Sequence, residues 1–304
     1  MGPHEDEDIG AGTWIEVGDR VWARRYRELD LSVGLVVGRD RCLVVDTRGD
    51  REQGAEFAAE VRALTELPWT VVLTHVHFDH CFGSEAFLPC PVWAHPDAVE
   101  ALERTAAAQR TEWVARYRAE GRSAIADRLD RVRRPVLPRP LPADPTTFDL
   151  GGRTVLVRHL GRGHTDHDVV VEVPDTGTVF AGDLVEQGAP PDFGDSYPLE
   201  WPGALRRLAG LVPANGVVVP GHGEPVDAAF VLAQADDVER AVVSCQSGSP
   251  DRAAPGSGEP PYPEETMAVI AARVRATRPE VPTSPPTGGA TTAARPSDQS
   301  RPAS

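Results

Sequence analysis

His75-Val76-His77-Phe78-Asp79-His80 puts four metal-capable side chains within six residues. They follow directly on the apolar run Trp69-Thr70-Val71-Val72-Leu73-Thr74. Imidazole nitrogen and carboxylate oxygen are ligands that borderline metals such as zinc prefer. A strand ending in such a cluster delivers all four groups to one place. Asp79 and His80 are adjacent and point in different directions in regular structure, so one tetrahedral ion can hardly use all four. Two ions side by side, each taking a share, is the simplest reading.

Three more candidates lie downstream. His164 sits in Gly161-Arg162-Gly163-His164-Thr165, Asp183 in Phe180-Ala181-Gly182-Asp183-Leu184, and His222 in Pro220-Gly221-His222-Gly223. Each follows an apolar, largely β-branched segment and lies beside glycine. The repeated design is strand, tight glycine turn, ligand. Strands finishing on one sheet edge would bring these loops together, and glycine permits close backbone approach. A lone His is ordinarily a satisfied surface or core residue, and His4, His95 and His159 take that reading. The six-residue cluster alone would also suit one structural metal, but that predicts no further matched ligands, and three are present.

His-x-His-x-Asp-His, Gly-His-Thr, Gly-Asp and Pro-Gly-His-Gly occur here in the order found in the metallo-β-lactamase-fold hydrolase superfamily. The chain resembles that family over roughly residues 13–243. The pattern of elements by itself says only α/β. The resemblance implies a four-layer αβ/βα sandwich of two mixed β-sheets flanked by helices, with metals at one edge between the sheets. In the glyoxalase II-like pattern, His75, His77 and His164 would bind a first metal. Asp79, His80 and His222 would bind a second, and Asp183 would bridge both. Two zinc ions are implied, with iron or manganese as other occupants. Zinc lowers the pKa of bound water to about 7, which permits attack on a carbonyl at neutral pH. Asp79 would also orient that water as a catalytic residue. Asp46, closing the run Leu43-Val44-Val45, matches an Asp that often supports the metal loop from behind. Some secreted lactamases of this fold use Cys at a metal-ligand position that here is Asp183.

The expected function is hydrolysis of a small-molecule ester, thioester, lactone or amide by di-zinc-activated water. A mononuclear iron enzyme resembling persulfide dioxygenases and a non-catalytic metal-binding module are the alternatives. An oxygen-reducing di-iron protein of this fold would carry Glu where this chain has His77.

All 31 basic residues are Arg, against 46 acidic ones, for a net charge of −15. That balance argues against a nucleic-acid partner. Arg128, Arg131, Arg133 and Arg134 form a local cluster that reads as a solvated face. Cys42, Cys81, Cys90 and Cys245 show neither CxxC spacing nor a disulfide framework, and Cys81 reads as packing behind the metal motif. Residues 1–12 are acidic, lack the apolar core of a secretory signal and are expected to be disordered. No apolar run reaches membrane-spanning length. A soluble, cytoplasmic protein with a small-molecule substrate is expected, its oligomeric state unreadable.

Strands are expected at 13–17, 21–24, 31–37, 42–45, 70–73 and 91–94, with a helix at 51–66. Residues 97–134 read as a helical insertion broken near Gly121, either a substrate wall or a surface hairpin. The proline-rich stretch 135–145 returns to strands at 153–160, 169–173, 178–181 and 216–219 and helices at 200–211 and 227–244. One domain at 13–247 results. Residues 248–304 form a low-complexity tail with one possible helix at 264–278 and disorder from 283; no chemistry is assigned to it. His167 and Asp168 depart from the usual continuation after Gly-His-Thr and line the pocket, hydrogen-bond a ligand or shape the turn. Tyr197 and Trp201 read either as substrate contacts or as surface aromatics.

Overall fold

The computed structural model describes residues 12–246 and 259–277. The expected disorder of residues 1–12 and 283–304 falls, Gly12 apart, outside them.

Seven strands form the first sheet in sequence order: β1 (Gly12–Gly18), β2 (Val21–Tyr26), β3 (Ser32–Val37), β4 (Cys42–Val45), β5 (Trp69–Val72), β6 (Val92–Ala94) and β7 (Arg139–Pro140). Pairing is antiparallel from β1 to β4 and parallel from β4 to β7. The switch falls where α1 (Arg51–Leu64) first supplies a crossover helix, as parallel neighbours require. β4 is buried at all four positions, Cys42-Leu43-Val44-Val45, the signature of a strand covered on both faces.

The second sheet runs β12-β11-β10-β9-β8, from β8 (Thr146–Asp149), β9 (Thr154–Arg158), β10 (Val170–Val173), β11 (Thr178–Glu186) and β12 (Val217–His222). Only β11 and β12 pair in parallel, across α5 (Trp201–Ala209). Between the sheets lies an apolar layer including Val36, Leu43, Val72, Val157, Val171 and Phe180. A second layer packs α1, α3 (Pro96–Ala119) and α4 (Ser123–Arg131) on the outside of the first sheet. A third packs α5, α6 (Ala228–Gln246) and α7 (Glu264–Thr277) outside the second. The result is the αβ/βα sandwich of two mixed sheets expected from the motif order.

Some expectations change. β7 and β8 were unread: β7 is two residues inside the proline-rich stretch, and Thr146-Thr147-Phe148-Asp149 has little apolar alternation. The ligand cluster itself contains a helical turn, α2 (Phe78–Cys81). β11 does not stop before Asp183 but continues to Glu186, with its register broken around Gly182 at φ +53°. Asp183 therefore projects from a bulged strand, not from a turn after one. The arginine cluster is only partly a solvated face. Arg128 is buried on α4 and pairs at 3.2 Å with Asp50, the side-chain cap of α1. The helix of the tail packs Ile270 and Val274, both buried, into the third layer. Among the described residues no helix is long and apolar enough to cross a membrane.

Candidate metal centre

Loops at one edge of both sheets converge. The first sheet contributes the segment after β5: His75 and His77 come from its extended part, and Asp79 and His80 from α2. Placing Asp79 and His80 on successive positions of a helical turn rotates them about 100° apart, so they leave the backbone in different directions. The second sheet contributes His164 from the β9–β10 loop, Asp183 from the bulge of β11 and His222 from the end of β12. Potential ligand atoms of His75, His77, His164 and Asp183 all lie within 4.8 Å of one another, and so do those of Asp79, His80 and His222.

Asp183 is the hinge between the groups. Its Oδ2 is 3.5 Å from His75 Nε2, 3.8 Å from His164 Nε2 and 3.3 Å from His222 Nε2. Its Oδ1 is 3.1 Å from His80 Nε2. Asp79 Oδ2 lies 3.4 Å from His222 Nε2 and 3.7 Å from His80 Nε2. Gly221 permits this crowding, since a Cβ there would overlap Asp183 Oδ1. At Gly182 a Cβ would press on Thr74.

For three of the five rings the far side fixes the tautomer. Asp46, at positive φ just beyond β4, accepts from Thr74 N at 2.7 Å, from Thr74 Oγ1 at 2.8 Å and from His80 Nδ1 at 2.9 Å. With its own proton given to Asp46, Thr74 Oγ1 accepts from His75 Nδ1 at 3.0 Å. His222 Nδ1 donates to the Leu29 carbonyl at 2.7 Å. In the neutral rings, Nδ1 of His75, His80 and His222 therefore carries the proton, and each Nε2 presents a lone pair toward Asp183. Lone pairs and a carboxylate are all acceptors, so these atoms cannot satisfy one another, and a cation placed among them would. Consistent with that, His75 Nε2, His164 Nε2 and Asp183 Oδ1 are buried without a hydrogen-bond partner.

Without an ion, protons play the cation. Burial opposes charge on His222, but the carboxylates of Asp183 and Asp79 outweigh it and push its pKa up to about 10. His164 is also pushed up to about 10, burial being overcome by Asp168 and Asp183. Burial draws His75 well below its ordinary value. Asp183 is held well below the usual carboxylate range, because His80, His222 and His75 outweigh its desolvation.

Of the pocket candidates, Asp168 shapes the turn: its carboxylate accepts from Thr165 N and Oγ1, both at 2.7 Å. His167 is buried with Nδ1 2.8 Å from Asp166 Oδ1, and Tyr197 donates to Asp166 Oδ2 at 3.0 Å. Both His167 and Tyr197 line a cavity of about 190 Å³ beside His77. Trp201 does not contact it. As the first residue of α5 it is fully buried, donates to the Leu184 carbonyl and packs on Phe193 at 5.0 Å. The insertion borders this cavity through Arg104, Thr105 and Gln109 of α3, and Gln109 donates to the Val76 carbonyl. His95 caps α3 and packs its ring, tilted by 42°, on His159 at 4.5 Å, and neither belongs to the two ligand groups. Cys81 is core, its thiol pushed well up by burial.

Two residues escaped the sequence reading. Asp195 faces His77 Nε2 at 3.2 Å, from a loop that no strand pattern marks. Arg273 lines the same cavity from α7; the amphipathic spacing of Ile270 and Val274 was the available signal that this helix docks.

The fold agrees with that of known proteins. Over 206 residues the chain is 26% identical to the metallo-beta-lactamase type 2 of Bacillus cereus, covering 66% of this chain and 70% of the relative. It is 31% identical over 208 residues to the human acyl-coenzyme A thioesterase MBLAC2, covering 63% and 72%. Among solved structures, a metallo-beta-lactamase from Pontibacter korlensis superposes with a TM-score of 0.56 at 24% identity, over 74% of this chain and 99% of that one. The mono-zinc form of FIM-1 from Pseudomonas aeruginosa gives 0.57 at 19% identity, over 76% and 96%. The sequence model of the metallo-beta-lactamase superfamily itself matches residues 27–283, which take in β3 to β12 and every helix from α1 to α7, and the chain belongs to that superfamily.

Proposed function

We propose that this protein is a hydrolase of small-molecule esters, thioesters, lactones or amides that works with two zinc ions. The convergence of seven side chains whose inward-facing atoms are acceptors, several buried and unpaired, carries this reading. Unpaired buried polar atoms are costly, and a donor set of five imidazoles and two carboxylates suits zinc, with iron or manganese as other occupants. His75, His77 and His164 would hold one ion and Asp79, His80 and His222 the other, with Asp183 reaching both. Bound there, the ions would supply a Lewis acid and lower the pKa of water to about 7.

The chain's own residues do the rest. Asp79, nearly buried, orients the attacking water. Asp46 keeps His80 and, through Thr74, His75 in the tautomer that leaves Nε2 free. The 190 Å³ cavity between α3 and the Asp195–Tyr197 loop holds the acyl part. A curated relative named as an acyl-coenzyme A thioesterase and others named as β-lactamases support the thioester and amide ends of the range.

The test is metal analysis of purified protein alongside an ester, thioester, lactone and β-lactam panel. Two zinc equivalents with turnover of one class is the expected result. Fully zinc-loaded protein that hydrolyses none of them overturns the proposal, as does one iron with oxygen uptake on a persulfide.

A further inference from the structure

The loop between β11 and α5 carries Asp195, the partner of His77 Nε2, and Tyr197, the partner of Asp166. It contains no regular structure between Gln187 and Leu199 beyond turns. What grips it from outside is the C-terminal segment. Arg273 Nε donates to the Ser196 carbonyl at 2.8 Å and Nη2 to the Asp195 carbonyl at 2.6 Å. Its guanidinium stands 5.7 Å from the Tyr197 ring. Tyr262, just before α7, packs its ring on Phe193 at 5.7 Å. Ile270 and Val274 anchor the helix that carries Arg273 in the apolar layer beneath.

We propose that α7 is a clamp on the metal centre, with Arg273 as a positioning residue. A planar fork holding two successive carbonyls fixes the peptide between them, which a single ammonium would not. Fixing that peptide sets where the Asp195 carboxylate stands. Asp195 on Nε2 leaves Nδ1 as the free nitrogen of His77. A carboxylate behind a ligand histidine orients the ring and raises its basicity, and losing such a partner typically costs about 10- to 100-fold in metal affinity. The inference rests on the metal-centre reading for its metal arm alone, because the loop and the His77 tautomer can be followed without metal.

The experiment uses the full chain as wild type, Arg273→Ala, Arg273→Lys and Asp195→Asn. In metal-free protein, nitrogen NMR of the His77 ring and hydrogen exchange of the Phe193–Tyr197 amides are read. Arg273→Ala should speed exchange across that loop and abolish the Asp195-bound signature of His77 Nε2, as Asp195→Asn does, with Arg273→Lys intermediate. In zinc titrations against a chelator, Arg273→Ala should weaken one of the two affinities roughly tenfold and leave the other unchanged. An unaltered His77 signature in Arg273→Ala overturns the proposal, and so do two zinc affinities that fall equally. If wild type takes up no zinc while the metal-free arm behaves as stated, the proposed function falls and the clamp stands.

Discussion

Asp46 shows how much of the centre is decided by one residue behind it. Three donors end on its carboxylate, and through them it sets the tautomers of two rings. Asp46→Asn would offer an amide where a second acceptor is needed and turn N–H toward N–H at either Thr74 or His80. Metal affinity should drop about 10- to 100-fold with the fold retained, measured by competition with a chromogenic chelator. The metal-free protein gives a second residue-scale prediction. His164 and His222 at about 10, against 6.5 for a free imidazole, bind protons in the folded state that the unfolded chain has released. Their contribution is complete below about pH 6.5 and disappears as pH rises through about 10. The melting temperature of stripped protein should therefore fall from pH 7 to 10. Zinc-loaded protein should instead lose stabilisation on acidification, because the same nitrogens must be unprotonated to bind.

At the scale of elements, the buried Arg128–Asp50 pair ties α4 of the insertion to the cap of α1. Arg128→Ala leaves the Asp50 carboxylate buried without its counter-charge, and removing one partner of such a pair costs about 3–5 kcal/mol. Urea unfolding of zinc-loaded protein should show that loss, whereas Arg133→Ala, on an exposed pair, should change stability by less than about 1 kcal/mol. The contrast also explains what could be read in advance. Apolar runs such as Leu43-Val44-Val45 announce strands because burial on both faces demands continuous hydrophobicity, and the glycine-flanked ligands announce loop ends because close approach demands glycine. Arg128 and Arg133 look alike in sequence, since only the tertiary position of Asp50 separates a buried cation from a solvated one. Trp201 and Tyr197 likewise lie in one Pro- and Gly-rich stretch. The start of α5 turns one ring into the core and leaves the other at the cavity. Asp195 had no local signal, because its partner His77 lies 118 positions away in the chain.

Across the whole molecule, the candidate ligands divide by sheet. His75, His77, Asp79 and His80 follow the first sheet, and His164, Asp183 and His222 follow the second. Each of the two groups draws on both sheets, so each bound ion would cross-link the halves of the sandwich at their open edge. The apolar layer between the sheets is independent of that edge and is built from residues such as Val36, Val72, Val171 and Phe180. Removing metal should therefore loosen the edge without unfolding the chain. A ligand that binds only the native state stabilises it by about 2.7 kcal/mol at a free concentration 100 times its dissociation constant. Two ions under that condition contribute about twice as much. Chelated protein should keep its far-ultraviolet circular dichroism and melt well below the loaded form. Its extra hydrogen exchange should be confined to the β5–α2, β9–β10 and β11–α5 connections, with the strands β4 and β10 still protected. Exchange spreading into those strands would mean that the ions hold the sandwich together. Equal melting of the loaded and stripped forms would mean that they do not bridge the sheets at all.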